Sequence, residues 1–195
     1  MKQLALGISP PPQPTLDNFV PGANAELLTH LRRLRAGRFT EGVLYLWGEA
    51  GCGKSHLLAA CAGANSVDDV QKLDDLAQIA LFNAINEARE TGGAVLAAGD
   101  APPAQLPLRE DLKSRLAWGL VYQVKPPSDE ERAAFLRAES ERRGFRLADE
   151  VISYLLTRMR RDLRSLTSVL ERLDQYSLET KRPITLPLVR DALKE

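Results

Sequence analysis

Residues 48–55 read Gly48-Glu49-Ala50-Gly51-Cys52-Gly53-Lys54-Ser55 and match the phosphate-binding pattern G-x-x-x-x-G-K-[ST] at every fixed position. That chemistry asks for glycines because the backbone must wrap closely around a phosphate and turn its N–H groups inward. The wrap happens at a helix N-terminus, whose dipole favours negative charge. Lys54 is then placed to reach the β- and γ-phosphates, and the Ser55 hydroxyl to hold Mg²⁺. A metal beside a phosphate also needs acid, and the stretch VDDV supplies Asp68 and Asp69, which could otherwise be a helix N-cap and a first-turn acid. A third acid, Asp100, ends the apolar run AVLAAGD, where a strand-tip carboxylate can sense the terminal phosphate or position water. The same residue could equally cap the turn at Pro102-Pro103. Two arginines, Arg115 in REDLKSRLAWG and Arg164 in RRDLRSL, carry planar, permanently charged forks. Arg115 could enter a neighbouring molecule's nucleotide site and Arg164 could lean over the phosphates; the plainer reading of each is a solvated surface charge.

These groups need a scaffold, and the strand, loop and helix that the motif requires come in order: the apolar run Val43–Trp47, the glycine-rich loop, then HLLAAC. The acidic pair is less easily placed. Only residues 56–67 separate Ser55 from Asp68, whereas a complete strand-helix-strand unit takes roughly 30 residues or more. The spacing calls either for a sheet short of part of its usual set or for a segment missing near Ala64 to Ser66, and the second is the expectation. Farther on, Leu76, Ile79, Phe82 and Ile85 recur at helical spacing until Gly92-Gly93. A buried strand ending in Asp100, a short helix stopping at Gly119 and the strand LVYQV complete this part.

After Pro126-Pro127 the pattern turns helical. Ser128 and Glu131 form a capping box, Gly144 terminates the first helix, two more helices follow, and a last short one runs from near Thr185 to Lys194. The predicted fold is therefore α/β, a P-loop core whose parallel sheet is flanked by helices, with a small C-terminal α-helical lid. The expected divisions are an extended leader at 1–14, the α/β core at 15–126 and the lid at 127–195.

Composition narrows the class. The chain has 195 residues, 44% of them hydrophobic, and its 26 Lys plus Arg balance its 26 Asp plus Glu. It lacks the basic surplus of a protein that grips nucleic acid unaided, so DNA contact should be indirect. No stretch approaches the roughly 20 apolar residues of a membrane span, so a cytoplasmic location is expected. Two cysteines argue against a disulfide framework. The leader, MKQLALGI before SPPPQP, presents Leu4, Leu6 and Ile8 as apolar anchors, with the Gln3 amide fixing orientation and prolines keeping the segment extended. A frayed terminus or a strand tucked on the domain is the bland alternative.

The order of P-loop, VDDV, strand ending in GD, PP, SRLAWG, PPSDEERAAFLR and DLRSL resembles the AAA+ module of the DnaA family of replication initiators. It is most similar to the small Hda-type regulators in that family. No helix-turn-helix follows the lid, RPITLPLVRDALKE is like their tail, and QLALGI resembles their Gln-Leu-x-Leu-x-Leu-type clamp-docking peptide. TLDNFVPGAN is similar to the linker whose Phe19 and Val20 flank the nucleotide base.

That resemblance implies a regulator that binds an adenine nucleotide, ADP ahead of ATP, with Mg²⁺. It would dock on the DNA-loaded DNA polymerase sliding clamp through Gln3, Leu4, Leu6 and Ile8, and stimulate ATP hydrolysis by DnaA to prevent over-initiation of DNA replication. Arg115 would be the finger acting in trans. The nucleotide would lie against Phe19, Val20, Gly48, Gly51, Cys52, Gly53, Lys54, Ser55 and His56, with Asp100 as first sensor and Arg164 as second. Ser55, Asp68 and Asp69 would attend the metal. Asp69 stands where many hydrolysing relatives carry glutamate, so the chain's own hydrolysis is expected to be weak or absent. DnaA and the clamp are the implied partners, and self-association stays open. The alternative is an ATP-hydrolysing helicase loader or another DnaA-like ATPase module.

Overall fold

A computed structural model describes residues 13–63 and 65–193. These residues form two compact units that divide between Pro126 and Pro127. The first unit is built on a parallel four-stranded sheet in the order β2-β3-β1-β4, with β1 Val43–Trp47, β2 Asn65–Val67, β3 Val95–Gly99 and β4 Leu120–Gln123. β1 lies inside the sheet, in register with β3 (Val43↔Val95) on one side and β4 (Leu44↔Leu120) on the other. β1 and β3 read as continuous apolar runs because helices cover both of their faces.

Side-chain alternation sorts those runs into two cores. Leu44, Leu46, Leu96 and Ala98 face α1 (Ala25–Arg35) and α2 (Lys54–Ala60), meeting Leu27, Leu31 and Leu57. Val43, Tyr45, Val95 and Ala97 face α3 (Asp75–Thr91) and α4 (Glu110–Leu116), meeting Leu81, Ile85, Leu112 and Leu116. Asp74 caps α3 by accepting from the Ala77 amide at 2.8 Å, and Gly92 ends it in the left-handed conformation at φ 73°.

The predicted apolar stripe of α3 meets the core only in part. Its buried face is Gln78, Leu81, Ile85 and Ala88, while Leu76 is 78% exposed and Ile79 41%. At about 100° per residue Leu76 points nearly opposite the buried face, and the side chains turned toward β2 are Ala77, Ala80 and Ala84. The chain meets the tight spacing before the acids with a short sheet. α2 ends at Ala60, β2 starts at Asn65, and no strand or helix intervenes among the described residues. Only Val67 of this strand is partly buried, in keeping with its poor strand sequence.

The second unit is all helical: α5 Asp129–Arg142, α6 Asp149–Arg158, α7 Leu163–Thr180 and α8 Leu186–Leu193. Ser128 accepts from the Glu131 amide, and the Glu131 carboxylate accepts from the Ser128 amide. Gly144 follows α5 with φ 86°. Leu136, Val151, Leu155, Leu166, Leu170 and Leu188 fill its core. The buried Arg132 donates to the Arg161 carbonyl at 2.8 Å and to Asp129 at 2.6 Å, tying α5 to the turn before α7. No helix among the described residues is long and apolar enough to cross a membrane.

Candidate functional site

At the C-terminal end of β1 the chain enters the glycine-rich loop, with Gly48, Gly51 and Gly53 at φ of 152°, 81° and 107°. Gly53 is confined by crowding as well as by its φ, since a Cβ there would lie 2.7 Å from the Phe19 ring. Lys54 opens α2 and is buried. Its ammonium donates to the carbonyls of Gly48 (2.6 Å) and Glu49 (3.0 Å) and lies 3.8 Å from the Cys52 sulfur. The charge therefore sits inside the ring that the loop makes, while Ser55 in the next position is exposed.

One wall of this loop comes from residues far upstream. Thr15 and Asn18 bond reciprocally, each side chain accepting from the other's amide, and Leu16 anchors the segment in the core. This presents Phe19, partly buried, beside the loop at Gly53, with the partly buried Val20 next in sequence. His56 stands 2.9 Å from the Thr15 carbonyl through Nε2 and packs on Phe19 with ring centroids 5.7 Å apart. Two rings thus border the glycine loop, as stacking of a planar base requires.

Because the strands are parallel and in register, the acids fall on the same edge of the sheet as the loop. Gly99 pairs with Trp47, which places Asp100 next to the loop strand, and Asp68 follows β2 one strand farther out. Asp100 is exposed. Beneath it the buried Tyr45 hydroxyl donates to the Ala101 carbonyl at 2.8 Å, and burial, aided by the Asp100 charge, raises the Tyr45 pKa far above its ordinary value. A Cβ at Gly99 would strike that hydroxyl, so the strand tip has room only for glycine.

Asp69 takes a left-handed backbone (φ 51°) and has both carboxylate oxygens engaged. Lys72 donates to Oδ2 at 2.6 Å and Gln71 to Oδ1 at 3.1 Å. These bonds, Lys72 foremost, hold the Asp69 carboxyl below the usual carboxylate range, with the nearby Lys54 charge adding to them. Asp68 accepts from the Asp69 amide. Sequence reading missed Lys72 and Gln71, although the three-residue step from Asp69 to Lys72 is a recognisable pairing distance. No group of three His, Cys, Asp or Glu gathers as a metal cage among the described residues. Ser55 and Asp68 suit Mg²⁺ instead, an ion that takes one or two protein oxygens and completes its shell with phosphate and water.

Arg115 belongs to a different place. It lies in α4, its guanidinium carbon 3.4 Å from the Trp118 ring centroid and 5.1 Å from that of Phe82. Its Nε is buried without a partner, and Arg115 makes no hydrogen bond or ion pair among the described residues. Trp118 lines a cleft of about 550 Å³ together with Thr40, Gly42, Val43 and Arg89. This is the N-terminal end of β1, roughly 16 Å of five-residue strand away from the loop at its other end. Phe82 was read only as part of the apolar stripe of α3, and no sequence signal singled out Arg89 or Trp118. Arg164 is exposed in the first turn of α7, in the second unit. Gln3, Leu4, Leu6 and Ile8 lie outside the described residues.

Residues 129–193 match the family model for the Hda lid domain. Among solved structures, the chain is similar to domain III of the replication initiation protein DnaA from Thermotoga maritima, at 24% identity and TM-score 0.77, over 94% of this chain and 96% of that one. It is similar to AMPPCP-bound DnaA from Aquifex aeolicus at 21% identity and TM-score 0.70, over 83% of this chain but only 65% of that one. The RuvB Holliday junction branch migration motor of Thermotoga maritima shares the fold at 18% identity and TM-score 0.70, over 93% of this chain and 71% of that one. The chain thus joins a parallel sheet carrying a phosphate loop, in a fold like that of DnaA, to a C-terminal segment that matches the Hda lid domain.

Proposed function

We propose that the chain is a nucleotide-holding regulator that acts on a DnaA-type initiator in trans, stimulating hydrolysis of the ATP that the initiator carries and so restraining initiation of DNA replication. The observation that carries this reading is the placement of Arg115. A guanidinium packed against two aromatic rings, without a hydrogen bond or ion pair among the described residues and a strand length from its own phosphate loop, is disposed to serve another molecule's nucleotide.

The chain's own loop holds an adenine nucleotide, ADP ahead of ATP, between the Phe19, Val20 and His56 side and the Lys54 ammonium, which must turn from the loop carbonyls toward phosphate. Binding of AMPPCP by the Aquifex aeolicus DnaA supports the ligand class. Mg²⁺, when bound, neutralises phosphate charge, and Ser55 and Asp68 are the residues that would attend it. Asp69 is held by Lys72 and Gln71, which supports weak hydrolysis in cis. Asp100 and Arg164 serve as the two sensors of the bound nucleotide. Residues 3–8 dock on the DNA-loaded sliding clamp through Gln3, Leu4, Leu6 and Ile8, keeping contact with DNA indirect.

The test is the rate of ATP hydrolysis by DnaA, with clamp loaded on DNA, on adding wild-type chain, Arg115→Ala or a chain lacking residues 1–8. Stimulation that needs both features is expected. Absence of stimulation by wild type, combined with rapid Lys54-dependent hydrolysis by the chain alone, would overturn the reading in favour of a loader-type ATPase.

A further inference from the structure

We infer that Arg89 is a second trans-acting arginine, joined to Arg115 through Trp118 in a receptor for the terminal phosphate of a nucleotide held by a partner AAA+ subunit. The inference rests on the trans reading of Arg115. Arg89 lies in the last turn of α3, and its guanidinium carbon is 4.5 Å from the same Trp118 ring centroid that Arg115 approaches to 3.4 Å. Two permanently charged groups that share one indole are necessarily close together, and like charges at that range repel.

A neighbouring carboxylate would be the ordinary remedy, and this chain applies it elsewhere: Arg109, Arg132, Arg137 and Arg142 each hold one. Neither Arg89 nor Arg115 forms an ion pair or hydrogen bond among the described residues. Glu41 borders the adjoining cleft, but its carboxylate is taken by Arg33 at 3.4 Å and the Thr40 amide at 2.8 Å. Glu87 and Glu90, beside Arg89 on α3, make no ion pair with it.

The stacking explains what the pair is built to meet. A ring contacts the flat face of a guanidinium and leaves its N–H edges directed outward, the geometry that grips phosphate bidentately. With the Arg115 Nε buried, its terminal nitrogens are the edge on offer. Trp118 is 49% exposed, so the pair is open to a docking partner. Two fixed positive charges match the multiple negative charge of a terminal phosphate better than a single carboxylate, and a partner's bound nucleotide is where such a group meets a finger arginine.

Two measurements test this. With Trp47→Phe, Trp118 is the sole indole, and its fluorescence can be followed while tripolyphosphate is titrated into ADP-saturated protein. A saturable change is expected, weakened at least about fivefold by Arg89→Gln. In the DnaA assay, Arg89→Gln should raise the concentration of chain giving half-maximal stimulation about tenfold, leave the maximal rate within about twofold and flatten the salt dependence. Arg115→Ala should instead remove the maximal rate. Arg89→Gln that stimulates DnaA like wild type overturns the inference, whatever the fluorescence shows. If wild type does not stimulate DnaA, the trans reading fails, and the fluorescence decides alone. An Arg89-dependent response then still supports a two-arginine phosphate receptor, and a flat titration overturns it.

Discussion

Replacing Gly119 by alanine should damage the central strand from outside the sheet. Gly119 lies where the turn after α4 passes the start of β1. A Cβ there would overlap the Val43 carbonyl oxygen and come within 2.7 Å of the Val43 carbonyl carbon and 2.9 Å of its Cβ. These atoms belong to a strand paired on both sides, so they cannot recede without disturbing its registers with β3 and β4. Overpacking a well-filled interior costs about 1–3 kcal/mol, and a clash with backbone belongs at the upper end. In a chain of this size about 3 kcal/mol lowers Tm by roughly 6–12 °C. Gly37→Ala is the control. Gly37 has φ 65° and nothing within 4 Å of an added Cβ, so only the left-handed conformation is penalised, at about 1–2 kcal/mol. Differential scanning calorimetry measures both, and Trp118 emission in a Trp47→Phe background reports whether the turn has shifted. A Gly119→Ala melt within about 2 °C of wild type, or no deeper than that of Gly37→Ala, would refute the crowding argument.

Phe19→Ala removes the ring that packs on His56 beside Gly53, and should weaken ADP binding about tenfold in a fluorescent-nucleotide titration, at roughly 1–3 kcal/mol for a base-stacking contact; an unchanged Kd would remove Phe19 from the site. Glu139 accepts from Arg142 and Arg143, and these bonds, Arg142 first, hold its carboxyl below the ordinary value against the upward push of burial. A depressed acid stabilises above its unfolded pKa of about 4.3 and loses that contribution as pH falls through the lower folded value. The Tm of the helical unit should therefore fall as pH drops below about 4.3, with a shallower slope in Glu139→Gln. Leu76→Ser should alter Tm by no more than about 2 °C because the side chain is largely exposed, whereas Ile85→Ala should cost about 2–5 kcal/mol; comparable losses from the two would mean that α3 packs differently.

The phosphate loop was legible because its chemistry leaves little choice of residue, and the glycines that the motif names are ones whose φ or crowding excludes side chains. The capping box at Ser128 and the terminator Gly144 were legible for the same reason, since each is a local signal with a local cause. The core face of α3 was not. Leu76, Ile79, Phe82 and Ile85 recur strictly every three residues, a series that drifts about 60° per step around a 3.6-residue helix, so Leu76 falls on the side opposite the buried Ile85. Lys72 and Gln71 were overlooked at Asp69 because the left-handed turn that folds them back onto it is invisible in a string of residue types. The Phe82, Arg89, Arg115 and Trp118 group escaped because it joins two helices and a turn distant in sequence. Arg115 itself was raised as a planar charged fork on a short helix, and only family resemblance chose the finger over a solvated surface charge.

The interior position of β1 bears on how the chain comes off the ribosome. Its partner on one flank, β4, is synthesised about 75 residues later, which at roughly 5–20 residues per second is a wait of about 4 to 15 s. Until then the nascent Val43–Trp47 segment has at least one backbone edge unpaired, and both until β3 is made, with its apolar faces incompletely covered. The helices of the second unit, by contrast, close largely through contacts near in sequence, which form fast. Chaperone engagement during translation should accordingly centre on the window between the emergence of β1 and that of β4.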